Sequence, residues 1–528
     1  MWPQSYAPIA DSIPLSALVA ALPIFTLLVL LAGFRKPSWF AALAGLGTAA
    51  LVAGLVYGMP AAPLFSSVAY GAAFGLFPIG WIVYWAIVLY RVTVDTGQFE
   101  IIKDSVGGLT ADPRLQALLI AFAFGAFIEG AAGFGTPVAV AAAMLTGLGF
   151  SPFYAAGICL LANTAPVAFG SIGIPLVTLQ AITGLPMMPL SANVGKICAP
   201  VSLFIPSYLV LVMGGWKALR GVWPAAALCG IAFAGAQFGV STYIGPYLTD
   251  IIGSLAAMVA LVVLLRNWRP KDGPAQAPPH KHSTAAVIRA WTPYGLLVVF
   301  VLLWGMDSVK GILNVATTVV NWPGLHNAIS RMPPAVAKES PYAATYTFNL
   351  LSASGTSCAF AALASALFLG VSLSGIWRIM LATARQLAFS MLTIASVLGL
   401  AFLMNYCGAT ATLGLAFAAT GAAFPFFSAI LGWLGVFLTG SDTSANALFG
   451  NLQVVTASKL GLDPALMAAA NSSGGVMGKM ISLQSIAVAA AATGMKSEDE
   501  AKLFRFTLRH SIFLACVIGL IVVVYSNA

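Results

Sequence analysis

Long apolar runs separated by short polar segments follow one another along almost the whole chain. A helix needs about 20 predominantly apolar residues to cross the hydrocarbon core of a bilayer. Uninterrupted runs of roughly this length predict ordinary transmembrane helices. The predicted helices are residues 12–34, 38–58, 64–94, 199–214, 222–243, 246–265, 292–310, 343–370, 376–405 and 505–525.

Four further apolar segments are interrupted by Gly, Pro, Asn or Ser and predict less regular elements. Residues 152–184 and 464–493 are predicted to be discontinuous spans. Residues 115–150 and 425–460 each contain two apolar arms that are too short to cross, and they are predicted to be re-entrant hairpins. Irregular backbone at membrane depth is tolerated only where it is buried in protein or lines a cavity. We therefore predict an all-α polytopic membrane protein with about 12 transmembrane helices and two re-entrant hairpins.

The interrupted segments occur in the same order in both halves of the chain, which predicts two repeats. Leu-Gly-Phe-Ser-Pro at 148–152 corresponds to Leu-Gly-Leu-Asp-Pro at 460–464, and Ala-Asn-Thr at 162–164 corresponds to Ala-Asn-Ser at 470–472. A general bias towards Ala and Gly is the alternative explanation, but such repeats are typical of transporters. The predicted divisions are a first repeat at 1–265, a cytoplasmic linker at 266–290 and a second repeat at 291–528.

Composition and charge placement agree with a membrane protein. Of the 528 residues 60% are hydrophobic and only 7% are charged, whereas an average soluble domain has about 25% charged residues. With the N-terminus outside, most Lys and Arg residues fall on inside segments, as the positive-inside rule requires. In this orientation the two hairpins enter from opposite sides, so the repeats are predicted to be inverted. The net charge of +9 is then explained by topology rather than by nucleic-acid binding.

One carboxylate lies near the middle of each predicted hairpin. Glu129 is surrounded by glycines in FIEGAAGFGTPVAV, and Asp442 follows a glycine in Gly-Ser-Asp-Thr-Ser. Acidic residues at membrane depth are rare and usually mark ion or substrate paths. Because burial disfavours the charged form, both are predicted proton-coupling residues. The alternative, above all for Asp442, is a carboxylate that only caps a helix. The predicted hairpin-tip glycines are Gly130, Gly133, Gly135 and Gly440.

Lys479 is the only basic residue that these predictions place well within the membrane core. A small organic anion needs a positive partner there, so we predict that Lys479 binds substrate. The alternatives are that it neutralises Asp442 or extends to the membrane surface.

Uncharged polar residues cluster beside the predicted breaks. Broken helices expose backbone N–H groups that attract anions, and neighbouring hydroxyls and amides could bind substrate oxygens. Helix packing is the alternative for any single member. The predicted substrate-binding residues of this kind are Asn163, Thr164, Ser444, Asn446, Asn471, Ser472 and Ser473.

Two matched breaks in two halves favour a secondary transporter. A sodium-coupled carrier of di- or tricarboxylates is the alternative, although a single lysine favours a monocarboxylate. An intramembrane protease is a weaker hypothesis, because the chain lacks GxSxG and a histidine in mid-span. The cysteines and histidines lack metal-site spacing, so no metal and no cofactor are predicted.

The interrupted segments resemble those of the L-lactate permease family. The resemblance is carried by FGAFIEGAAGFGTPVAV (124–140), ANTAPVAFGSIGIP (162–175), TGSDTSANALFGNLQ (439–453) and AANSSGGVMGKMIS (469–482). It implies proton-coupled symport of L-lactate, glycolate and related 2-hydroxymonocarboxylates across a bacterial inner membrane.

The same resemblance implies a site between hairpin tips and broken helices, with Glu129, Asp442 and Lys479 as its charged members. It also implies an elevator-like or rocking movement. One departure is Leu483, where family members tend to have proline.

Overall fold

The computed structural model describes residues 1–34, 36–133, 135–273, 282–336, 338–495 and 497–527. The fold is almost wholly helical, as predicted. Within the described residues, 11 helices are long and apolar enough to cross a membrane, or up to 12 if one bent pair counts as a span. Part of the predicted linker, residues 274–281, lies outside the described residues.

Twenty-three α-helices follow one another along the described residues. They are α1 (Ile13–Ala20), α2 (Leu22–Leu28), α3 (Ser38–Leu51), α4 (Ala61–Phe74), α5 (Trp81–Asp95), α6 (Gln98–Gly107), α7 (Pro113–Gln116), α8 (Gly125–Ala131), α9 (Thr136–Gly147), α10 (Pro152–Ala162), α11 (Gly170–Thr183), α12 (Met187–Tyr243), α13 (Thr249–Asn267), α14 (Thr284–Gly305), α15 (Asp307–Leu313), α16 (Ser354–Phe368), α17 (Leu373–Cys407), α18 (Ala409–Phe417), α19 (Phe424–Thr439), α20 (Asp442–Leu460), α21 (Pro464–Lys479), α22 (Leu483–Thr493) and α23 (Ser497–Ser526).

Shorter elements extend or join these helices. Turns of π-helix are Val29–Gly33, Val52–Val56, Gly75–Gly80 and Ala117–Phe124, and turns of 3-10 helix are Val167–Phe169, Asn314–Ala316 and Ala418–Ala423. The strands are β1 (Trp2–Pro3), β2 (Thr318–Asn321), β3 (Ile329–Arg331), β4 (Ser340–Pro341) and β5 (Thr345–Phe348).

The helices form two packed groups. The frame consists of α2–α6, α14, α16 and α17, and the core bundle consists of α7–α13 and α18–α23, with α1 packed on α18. Glycine allows close packing in the frame, since a Cβ atom at Gly71 of α4 would collide with the backbone of Leu398 in α17. All four interrupted segments belong to the core bundle, so the irregular backbone is surrounded by protein.

Both predicted hairpins have a helix–break–helix form, and the arms of each pack against each other. The first breaks after α8 at Gly133 and Gly135, which have φ angles of 60° and 82°. The second breaks between α19 and α20 at Gly440, with φ of 72°. Glycine adopts these left-handed conformations without the steric cost of a side chain. The prediction that the arms are too short to cross is wrong for the first arm of each hairpin. Pro113–Ala131 has 19 residues, and α19 is the end of the 31-residue helical segment Ala409–Thr439, so both are long enough to cross.

Both predicted discontinuous spans are interrupted. Helix α10 and the following segment Val167–Thr183 are bent by 64° across residues 163–166. Left-handed backbone at Ser171, Ile172 and Gly173 disturbs the start of α11. In the second repeat α21 ends at Lys479 and α22 begins at Leu483, with Ser482 as its N-cap.

Several ordinary spans differ from their predicted bounds. The 64–94 span is interrupted at Phe77, which has extended backbone with φ of −142°. The 199–214 span begins earlier, at Met187, and the helix is interrupted at Gly214 and Gly215. The start of the predicted 343–370 span is wrong, because β5 pairs with β2 there and only α16 is helical. Its sequence Thr-Tyr-Thr-Phe suits a strand, since β-branched and aromatic residues favour sheets.

The two small sheets join the N-terminus to the long loop before α16. Strand β1 pairs in parallel with β3, which pairs with β4. The N-terminus and residues 318–348 therefore lie at the same end of the molecule.

Candidate substrate and proton site

A cavity lies between the frame and the core bundle, at the tip of the second hairpin. The frame contributes Ser38, Ser390, Thr393 and Ile394, and the first repeat contributes the start of the α11 segment. Its lining residues are Ser38, Glu129, Val167, Gly170, Ser171, Ile174, Pro175, Ser390, Thr393, Ile394, Thr439, Gly440, Ser441, Asp442, Thr443, Ser444, Lys479 and Gln484.

Asp442 lies in the first turn of α20, directly after the hairpin tip. Ser441 is the N-cap, and its hydroxyl accepts a hydrogen bond from the Ser444 backbone N–H at 3.2 Å. The Asp442 carboxylate instead accepts from the Ser472 hydroxyl at 2.6 Å and from the Asn446 amide at 3.4 Å. Its other oxygen, Oδ1, has no hydrogen-bond partner. Asp442 is only 3% exposed and is not the N-cap, so the capping alternative is wrong for this residue.

A chain of buried hydrogen bonds leads away from Asp442 into the core bundle. The Asn446 amide also donates to the Pro175 carbonyl at 3.1 Å, which joins the second hairpin to the first broken span. Asn471 donates to Asn446 Oδ1 at 2.9 Å, and Gln453 donates to Asn471 Oδ1 at 3.0 Å. This chain fixes the rotamers of Asn446 and Asn471 and orients the groups that hold Asp442.

Lys479 is the last residue of α21 and is 8% exposed. Its ammonium donates a 2.6 Å hydrogen bond to the carbonyl of Gly440 at the second hairpin tip. Within the described part of the chain it forms no direct salt bridge. The alternative in which Lys479 pairs directly with Asp442 is therefore not realised here, although both line the cavity.

Glu129 lies in α8 just before the first hairpin tip and is 5% exposed. Its carboxylate is packed against Gly170, where a Cβ atom would come within 2.7 Å of Oε1. The Ser171 hydroxyl donates to the Ala132 carbonyl at 3.0 Å, so the hairpin tip is attached to the break in the first broken span. Oε2 of Glu129 has no hydrogen-bond partner.

The structure brings four predicted site residues, Glu129, Asp442, Ser444 and Lys479, together at the cavity. The remaining predicted substrate-binding side chains do not line it. Asn163 is buried beside Glu129, and the Thr164 hydroxyl donates to the Leu161 carbonyl within its own turn. Ser473 is fully buried next to Cys198. Ser472 and Asn446 donate hydrogen bonds to Asp442, and Asn471 donates one to Asn446.

The tip glycines have distinct surroundings. Gly440 accepts from Lys479, Gly133 leaves room for Ser171, and Gly135 is the N-cap of α9. Gly130 faces away from the cavity and lies against Asp250 of α13.

Sequence reasoning missed Asp250, a buried acid within the predicted 246–265 span. The sequence does contain a signal for this residue, because a single acid within an apolar run is unusual. It also missed Ser38, Ser390 and Thr393 of the frame, which line the same cavity as the charged residues. No sequence signal marks these, since Ser and Thr occur throughout membrane helices.

A second cavity continues from the first along α22 and α23. The two share Ser38, Thr439, Gly440 and Gln484. The second is also lined by Lys36, Glu500 and Arg505, which belong to segments that the charge pattern predicts to be cytoplasmic. A third cavity, lined by residues such as Gln180, Lys310 and Asn349, shares no lining residue with the first. Among the described residues, no group of His, Cys, Asp and Glu could hold a metal ion.

Comparison with known proteins gives matches over nearly the full length. The family model described as L-lactate permease matches residues 16–527. An L-lactate permease of Bacillus subtilis is 46% identical over 98% of this chain and 97% of its own length. The glycolate permease GlcA of Escherichia coli is 44% identical over 98% of this chain and 97% of its own length. The structural alignment with the crystal structure of the Alcanivorax borkumensis YdaH transporter covers 87% of this chain and 87% of that one, with 14% identity and a TM-score of 0.45.

Proposed function

Because the chain belongs to the L-lactate permease family, we propose that it transports L-lactate and glycolate together with protons. Its relatives are named as permeases for these two substrates. Both are small 2-hydroxymonocarboxylates, so one site with a single cation and several hydroxyls suits both. The protein is thus a transporter rather than an enzyme, and we place it in a bacterial inner membrane.

The observation that carries the proton coupling is the charge composition of the cavity. Its described lining contains two carboxyl groups, Glu129 and Asp442, and one ammonium group, Lys479. A monocarboxylate that bound alone would add a negative charge to a buried site, which is costly in a medium of low dielectric constant. Uptake of one proton with each anion leaves the net charge unchanged. Glu129 or Asp442 takes up this proton in the proposed cycle.

The proposed binding mode uses opposite walls of the cavity. The substrate carboxylate faces Lys479 and the backbone N–H groups at the start of α20, where the helix dipole favours an anion. Hydroxyls of Ser444 in the core bundle and of Ser390 and Thr393 in the frame are available to the substrate's 2-hydroxyl group. Asn163, Asn446, Asn471 and Ser472 act as positioning residues rather than as ligands.

The division into two inverted repeats remains part of this proposal. Helix α11, the second half of the first broken span, packs on α20, the second arm of the second hairpin. In the same way α22, the second half of the second broken span, packs on α9, the second arm of the first hairpin. Such an exchange of contacts is expected when two similar units are related by a pseudo-two-fold axis. The division of helices into a frame and a core bundle suits an elevator-like or rocking movement of one group against the other.

The direct test is proton entry into proteoliposomes that contain a trapped pH-sensitive dye. On addition of L-lactate in sodium-free buffer, we expect acidification beyond that of protein-free liposomes. Glycolate should give the same signal, and Glu129→Gln should abolish it. A lactate signal that requires sodium and moves no protons would instead favour the sodium-coupled alternative. No lactate signal from folded protein would overturn the proposal.

A further inference from the structure

Asp250 is a buried acidic residue that does not line the cavity and lies on α13, which packs against α8. It lies in the first turn of α13 and is 1% exposed. Neither of its carboxylate oxygens has a hydrogen-bond partner. Its side chain packs so closely on Gly130 that a Cβ atom there would lie 2.7 Å from the Asp250 Cβ. Asp250 is therefore adjacent to the residue that follows Glu129.

Other buried polar side chains surround the same place. Gln237 of α12 donates to the Ala165 carbonyl at 3.0 Å, which holds it at the turn of the first broken span, and its Oε1 has no partner. Asn163 is buried beside the Glu129 carboxylate, on the first broken span. We call Glu129, Asn163, Gln237 and Asp250 the rear cluster. All four side chains are at least nine-tenths buried.

The rear cluster contains two acids and no base. The titratable groups near Asp250 are Glu129 of α8 and the Cys198 thiol of α12. Lys479 acts on Glu129, but it is shared with Asp442, so it supplies no counter-ion for Asp250. A buried carboxylate without a counter-ion is strongly disfavoured in its charged form, so the Glu129–Asp250 pair must carry at least one proton. A protonated carboxyl group needs an acceptor, and Oε1 of Gln237 is an unpaired buried acceptor in the rear cluster.

We propose that Asp250 is a second proton-binding residue, which exchanges a proton with Glu129 across the first hairpin tip. The transfer breaks an O–H bond on one carboxyl group and forms one on the other. The pair then holds one proton in the empty site and two in the loaded site. This inference rests on the proposed function, because it assigns the coupled proton to a particular pair.

The test compares two modes of transport in proteoliposomes that contain Asp250→Asn. Asparagine has nearly the same shape but cannot bind the proton. We expect loss of lactate accumulation driven by a proton gradient, with exchange of internal for external lactate retained. We also expect the pH dependence of the remaining uptake to change, because a coupled pair becomes a single titrating group. The matched control is Ser254→Ala, one turn further along α13, where the hydroxyl bonds only within its helix.

Three results would decide the question differently. Unchanged accumulation and an unchanged pH profile in Asp250→Asn would overturn the proposal, because Asp250 would then be permanently protonated. Loss of exchange as well as accumulation in both Asp250→Asn and Asp250→Glu would also overturn it, because the residue would be needed for packing. If the wild-type protein neither accumulates nor exchanges lactate, the proposed function fails, whatever Asp250 does.

Discussion

At the scale of single residues, one ammonium group, that of Lys479, lines the cavity, and the proposed function gives it the role of binding the substrate anion. Lys479 is held at the hairpin tip by its bond to Gly440, and no salt bridge neutralises it among the described residues. Hydrogen bonds to charged groups contribute about 1.5–3 kcal/mol. We predict that Lys479→Gln weakens lactate binding by roughly 10- to 150-fold, as measured by equilibrium binding to purified protein.

Lys459→Gln is the matched control for this prediction. Lys459 lies in the last turn of α20 and is exposed, so its charge is far from the cavity lining. The Lys459→Gln variant should bind lactate with the same affinity as the wild type. Equal affinity of Lys479→Gln and the wild type would show that Lys479 does not contact the anion.

Two adjacent serines allow a second comparison at this scale. The Ser472 hydroxyl donates to the Asp442 carboxylate at 2.6 Å, whereas the Ser473 hydroxyl lies next to the Cys198 thiol rather than a carboxylate. Both side chains are fully buried. Ser472→Ala removes a charge-assisted bond and should lower the free energy of unfolding by about 1–3 kcal/mol. Ser473→Ala should have a smaller effect, and thermal unfolding of the two variants measures the difference. Equal losses would argue against a charge-assisted bond to Asp442.

At the scale of elements, the positions of glycine and proline predict where the helices are interrupted. Both hairpin breaks and both broken spans occur where they were predicted, because left-handed backbone at Gly133, Gly135 and Gly440 is costly for other residues. The cavity lining also contains the three charged residues that the sequence singled out. Acids and bases are so unfavourable in apolar surroundings that their positions alone indicate a site.

Other features depend on contacts that one-dimensional patterns do not contain. Residues 345–348 became a strand because β2 is available as a partner, which hydropathy cannot indicate. Asn446 and Pro175 meet although 271 residues separate them. Asp250 was overlooked because one acid hardly changes the mean hydropathy of a long run, and its proximity to Gly130 arises only when α13 packs on α8.

The contact between a helix break and Glu129 leads to a prediction about elements. A Cβ atom at Gly170 would lie 2.7 Å from Glu129 Oε1, and the atom that must move is the end of a flexible side chain. Gly170→Ala should therefore fold normally but displace the carboxylate, with loss of lactate-dependent proton entry into proteoliposomes. Gly147→Ala is the control, because a Cβ atom there meets nothing within 4 Å. Normal coupling in Gly170→Ala would show that the position of Glu129 is not critical.

At the scale of the whole molecule, the arrangement of cavities defines the state of the transport cycle. The site cavity continues into the one lined by Lys36 and Arg505, whereas the cavity at Gln180 is separate from it. The positive-inside pattern assigns Lys36 and Arg505 to the cytoplasmic side. In the proposed orientation we therefore infer an inward-open state, because the site cavity shares lining residues with the cavity at Lys36 and Arg505 and shares none with the cavity at Gln180.

This assignment predicts which side of the membrane reaches each cavity. Gln484 lies where the site cavity meets the cytoplasmic one, and Gln180 lines the outer one. In a Cys516→Ala background, Gln484→Cys should react with a membrane-impermeant thiol reagent applied from the cytoplasmic side, and Gln180→Cys should react from the outside. The other described cysteines are buried, so the Cys516→Ala protein without a new cysteine measures the background reaction. Lactate at acidic pH should slow the reaction at Gln484→Cys, because substrate and proton together allow the core bundle to move. Reaction of Gln484→Cys from the outside alone would reverse the orientation, and with it the assignment of the open path to the cytoplasm.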